Sequence, residues 1–119
     1  MAEEAKSGTK SVERLFPFVV RSRMLIIGRD TLARSKRSLH CILISEDISA
    51  NSKEEVLRDF KDYPILQRYQ SAQFTEFFNV RGAKVVGFKK SSLAKSIYAE
   101  LKEFRINAPS TGSETKRSE

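Results

Sequence analysis

The stretch Leu39-His40-Cys41-Ile42-Leu43-Ile44 decides the fold. It carries one polar side chain, His40, and includes the β-branched residues Ile42 and Ile44, so it reads as a strand covered on both faces. A strand buried that way needs helices above and below it. Beyond it, Glu46 and Asp47 close the strand, and Ser52 with Glu55 forms a capping-box pattern ahead of Val56, Leu57 and Phe60. That pattern predicts a helix over residues 52–62, stopped by Pro64. Residues 65–69 then read as a strand, 71–78 as a short helix holding Phe74, Phe77 and Phe78, and 84–88 as a strand around Val85 and Val86. Ser91 or Ser92 caps a final helix with Leu93, Ile97, Leu101 and Phe104 on one stripe, widened by Ala94 and Tyr98.

Before the central strand, residues 29–36 read as a mostly exposed helix, because only Leu32 and Ala33 are available to face inward. A short apolar run over 24–27 ends at Gly28. Val12, Leu15, Phe16 and Val19 recur at helical spacing, and Pro17 predicts a broken helix there, since proline removes an amide donor and clashes one turn back. The alternation of strand and helix predicts an α/β domain with helices on both faces of its sheet. The aromatic residues follow the apolar phase of their helices and are expected in the core.

A chain of 119 residues has room for one domain. Residues 1–10 and 107–119 are almost wholly polar and are expected to be flexible tails around a domain at 11–106. The net charge of +7 makes a polyanionic partner a reasonable first expectation. A single cysteine, Cys41, has no internal disulfide partner and reads as a buried thiol, which fits a reducing compartment. No stretch of about 18 apolar residues is present to cross a bilayer, and no signal-peptide pattern opens the chain, so a cytoplasmic location is expected with no membrane partner.

Catalysis has little to work with. His40 and Cys41 are neighbours on a strand, where side chains alternate, so they are expected on opposite faces and not as a nucleophile and base pair. Glu46 and Asp47 lack a His or Cys cluster at metal-ligand spacing, and the five glycines are scattered rather than gathered in a phosphate loop. No enzyme activity, cofactor or small-molecule substrate is expected. The basic residues are more concentrated: Arg21, Arg23, Arg29, Arg34, Lys36 and Arg37 crowd around Gly28, with Asp30 the only acid among them. Gly28 precedes a helix N-terminus, which attracts phosphate, and Arg34 and Arg37 are expected on one helix face. A second group, Arg81, Lys84, Lys89 and Lys90, flanks the strand around Val85.

In this setting the chain resembles the kink-turn-binding ribosomal protein family typified by archaeal L-seven-Ae and including eukaryotic L-thirty-e. The resemblance spans residues 15–104 and is closest to the short bacterial members. It is carried by Ile26-Ile27-Gly28 leading into a basic helix, by Leu43-Ile44-Ser45-Glu46-Asp47-Ile48-Ser49, by Asn51-Ser52-Lys53, and by Leu93-Ala94-Lys95-Ser96-Ile97. It implies a three-layer α/β/α sandwich around a mixed sheet of about four strands. It also implies recognition of a sharply bent RNA, ribosomal RNA among the candidates, in a ribosome or other ribonucleoprotein. Such bends expose edges that a uniform helix hides.

Carried onto this sequence, the resemblance aligns Gly28 with the family's glycine, Arg34 with its helix lysine, and Glu46 with Asp47 on its acidic pair. The asparagine and glutamate that read guanines in the family fall at Asp30 and Thr31, and Thr75 and Asn79 stand where glycines are common. The expected RNA surface is therefore Gly28, Arg29, Asp30, Thr31, Arg34 and Arg37, with Glu46 and Asp47, closed by the loop Val80, Arg81, Gly82 and Ala83. The rival expectation is a protein-interaction module of the same fold that has lost base-specific RNA recognition, with Phe77 and Phe78 offered to a protein partner in a ribonucleoprotein.

Overall fold

The computed structural model describes residues 7–107 of the chain. The elements are α1 (Ser7–Arg21), β1 (Leu25–Ile27), α2 (Arg29–Arg34), β2 (Leu39–Ile44), α3 (Ala50–Asp59), β3 (Ile65–Gln67), α4 (Ser71–Phe78), β4 (Val85–Lys89) and α5 (Ser92–Leu101). Single 3-10 turns at Lys36–Ser38 and Lys102–Phe104 follow α2 and α5. The strands form one sheet in the order β1-β4-β2-β3, with β2 parallel to β3 and the other two pairings antiparallel.

The apolar run of β2 lies inside this sheet and splits its side chains between two cores. Cys41 and Leu43 join Val86 and Phe88 of β4 under α1, α4 and α5, while Ile42 and Ile44 join Ile26, Ile65 and Val85 under α2 and α3. These are the three layers of an α/β/α sandwich. The first core is aromatic: the Phe16 ring lies 4.8 Å from Phe78, 5.1 Å from Phe77 and 6.0 Å from Tyr69. Each fully buried phenylalanine contributes about 1.5–3 kcal/mol by leaving water. Phe78 is thus buried in this core, and half-buried Phe77 packs against it.

Four local readings change. α1 is one helix despite Pro17, whose exposed position lets water serve the carbonyl it leaves without a donor, while Phe16 and Val19 on the buried side hold the axis. α3 begins earlier than the Ser52 pattern indicates, because Ser49 is the cap and accepts from the Ser52 amide at 3.1 Å. A bulge at His40 sets two residues of β2 against one step of β4. Finally, the folded unit is longer than residues 11–106 at both ends. α1 starts at Ser7, and the Asn107 side chain accepts from the Ile65 amide at 2.9 Å and donates to the Tyr63 carbonyl at 2.8 Å. The Ile106 amide adds a bond to the Ile65 carbonyl at 2.9 Å, so residues 105–107 lie along the outer side of β3. The rest of the expected tails falls outside the described residues. Among those residues, no helix is long and apolar enough to cross a membrane.

Candidate functional site

The C-terminal ends of β1, β2 and β3 and the start of β4 share one edge of the sheet. Gly28 donates its amide to the Val85 carbonyl at 3.2 Å, Ser45 to Lys84 at 2.9 Å and Arg68 to Ile44 at 3.2 Å. Between the β1–α2 junction and the α4–β4 loop lies an open groove of about 330 Å3, lined by residues 27–29 and 81–85. The fold therefore brings Gly28 and Arg29 together with Arg81, Gly82 and Ala83, and seats Lys84 beside them. Val80 is half-buried and packs into the aromatic core, so it supports the loop from beneath. Sequence reasoning missed Ile27, which is 42% exposed on the groove. Its place at the tip of an edge strand was the available signal.

Gly28 makes the sharp entry into α2 with φ 91° and ψ 146°, a region open almost only to glycine. An added Cβ would meet nothing within 4 Å, so the penalty of a side chain is conformational alone. Gly28→Ala is expected to cost about 1–3 kcal/mol in urea unfolding, with the groove distorted in the folded fraction.

The six residues of α2 are held by Leu32, their one buried side chain. Arg29 is committed to Glu55 of α3 by a charge-assisted hydrogen bond, which lowers the Glu55 carboxyl below its usual range. Asp30 and Thr31 are exposed in the first turn, and Arg34 is exposed at the last residue, off the groove. Arg37 is not on the same helix face as Arg34. α2 stops before it, and Arg37 lies in the 3-10 turn beside Ser38, whose carbonyl accepts from the Lys90 amide at 2.7 Å. That is the opposite end of β4 from the groove. Arg23 also belongs there, since the next residue, Met24, accepts from the Lys89 amide at 2.8 Å. Lys36 reaches the Asp59 carbonyl at 2.9 Å and covers the Phe60 ring. The arginine-rich stretch is therefore not one surface. β1 and α2 each cross the sheet, and they carry its members to different ends.

Glu46 and Asp47 follow Ser45 at the same end of the sheet as the groove, do not line it, and are turned to structural use. Glu46 accepts from Gln70 at 2.9 Å and lies 4.0 Å from the Arg68 guanidinium. Asp47 accepts the Ser71 hydroxyl at 2.7 Å and the Ser71 amide at 2.9 Å, tying the β2–α3 loop to the start of α4. The hydroxyl and then the amide hold the Asp47 carboxyl down to about 2. A depressed carboxylate stabilises the fold fully above its ordinary value of 3.8, and this stabilisation is lost as the pH falls towards 2. Asp47→Ala should therefore lower the urea midpoint at neutral pH, and the gap to the unaltered protein should close on acidification through that window.

The bulge corrects the reading of His40 and Cys41. Both turn to the same side of the sheet: the imidazole meets the Tyr98 ring edge-on at 6.0 Å, and Cys41 lies in the core that α5 covers. They still make no nucleophile and base, because burial pushes the Cys41 thiol up to about 12. Burial, then Lys95 and Lys90, lowers the His40 pKa. Among the described residues, no group of three or more His, Cys, Asp or Glu is placed to hold a metal ion.

No family model and no curated protein matches the chain. Among solved structures, it is similar to a protein with unknown function from Bacillus halodurans C, with a TM-score of 0.69 and 15% identity over 75% of this chain and 94% of that one. The likeness is one of fold.

Proposed function

We propose that the protein is a structured-RNA-binding domain of the kind the kink-turn family resemblance implies, and that it takes its ligand in the groove between the β1–α2 junction and the α4–β4 loop. The observation that carries this reading is the meeting of Arg81 and Lys84 with exposed Ile27 and the open Gly28 backbone. Among the described residues neither cation forms an ion pair, whereas Glu46, Asp47 and Glu55 are tied to Arg68, Ser71 and Arg29. Asp30, exposed in the first turn of α2, adds a negative charge close to Gly28 and Arg29. Cations for phosphates beside an apolar surface for an unstacked base are what a bent or bulged RNA requires.

Ultraviolet crosslinking in cell extract, followed by sequencing of the captured RNA and peptide mapping, tests this reading. Nucleotides should be attached to peptides containing residues 27–29 or 81–84. Recovery of no RNA, or attachment confined to other peptides, would overturn it.

A further inference from the structure

The arginines that leave the groove do not disperse. At the opposite edge of the sheet the Lys89 amide bonds to Met24 and the Lys90 amide to Ser38, which draws Arg23, Arg37, Lys89 and Lys90 to one place. α5 adds Lys95, which lies near enough to His40, together with Lys90, to act on its imidazole. No Asp or Glu occurs within residues 18–25, 36–45 or 86–99, which carry these cations, and none of the cations is in an ion pair among the described residues; the end of α3 also reaches this edge, where the Asp59 carbonyl accepts from Lys36. The exposed Phe18 ring, under the Arg21 guanidinium at 5.1 Å, lies in the last turns of α1 shortly before Arg23. Lys84 and Lys90, at the two ends of β4, are roughly 20 Å apart at about 3.4 Å per strand residue.

We propose that Arg23, Arg37, Lys90 and Lys95 form a second contact surface for RNA phosphates, so that one folded RNA is held at both edges of the sheet. This rests on the RNA reading of the groove. The ligand is a polyanion and not a single phosphate, because the cations come from four separate segments: the turn after α1, the 3-10 turn after α2, the end of β4 and helix α5. Phe18, exposed in the same helix end that leads to Arg23 and carrying the Arg21 guanidinium on its ring, favours nucleic acid, since a ring can stack on a base.

The test uses the full chain, unfractionated ribosomal RNA as probe, and the variant Arg37→Gln/Lys90→Gln/Lys95→Gln, whose positions are all exposed. Melting temperatures establish that the variant is folded. With three phosphate contacts removed, the slope of log affinity against log salt should fall in magnitude by about two to three, at about 0.7–0.9 per contact. An unchanged slope in the variant, alongside a slope reduced by Arg81→Gln/Lys84→Gln, overturns this second surface and leaves the groove standing. Failure of the unaltered protein to bind the RNA overturns both. If the triple variant keeps its RNA slope but loses binding to phosphatidylglycerol vesicles, the edge serves a lipid surface and the proposal falls.

Discussion

Arg81→Glu/Lys84→Glu is expected to reduce affinity for structured RNA by about a hundredfold at roughly 0.1 M salt while leaving the protein folded. Each phosphate contact contributes about 0.9 log units of affinity between molar and tenth-molar salt, so two lost contacts account for close to two orders of magnitude. Both side chains are exposed, and the loop that carries them is fixed by Val80 and Ala83 packing beneath it, not by the cations themselves. The fold should therefore be indifferent to the change. Filter binding of the purified variant across a salt series gives the affinity and the slope together, and thermal melting checks the fold. Equal affinity in variant and parent would remove the groove as the RNA surface.

The second large effect concerns what holds the groove in shape. Leu32 is the only buried residue of α2, and its Cδ2 atom would lie 2.3 Å from a Cβ built on Gly87 of β4. Glycine at that position lets α2 close on the sheet. Leu32→Ala should cost about 2–5 kcal/mol through lost burial and the cavity left behind. Gly87→Ala alone should cost about 1–3 kcal/mol, because the new methyl must displace Leu32 and the Leu39 Cδ1 atom at 2.8 Å. Together, the added methyl enters the space that Leu32 vacates, so the double variant should be more stable than the sum of the two losses by at least about 1 kcal/mol. Urea unfolding of the four proteins closes the cycle. Strict additivity would mean that the two side chains do not share that space.

The layers of this fold were legible because they depend on period and cap chemistry. β2 announced itself by an apolar run with His40 its one polar residue, α4 was readable at both ends, and the stripe of α5 carried a serine cap, which is Ser91 of the two serines available. The failures have one cause, which is that local rules do not know what lies across the sheet. α1 continues through Pro17, which lies on its exposed side while Phe16 and Val19 are packed in the core, and the strand alternation that separates His40 from Cys41 fails at a bulge in the pairing with β4. Half of the groove was readable as well: Gly28 and residues 81–83 were named, and the fold joins them. Arg29 lines the groove as well, but its pairing was not legible, and Arg37, Glu46 and Asp47 were not separable from the groove residues by sequence. Arg29 meets Glu55 and Asp47 meets Ser71 only after distant segments pack, and Arg37 is carried away by the length of α2.

The hydrogen bonds of Ile106 and Asn107 to Ile65 and Tyr63 have a consequence for how copies of the molecule behave towards one another. A bare outermost strand is a template on which a neighbour can add its own, and β3 would be such a template without them. Ile106 and Asn107 thus pair with this edge of the sheet, and a second molecule finds no open strand there on which to add its own.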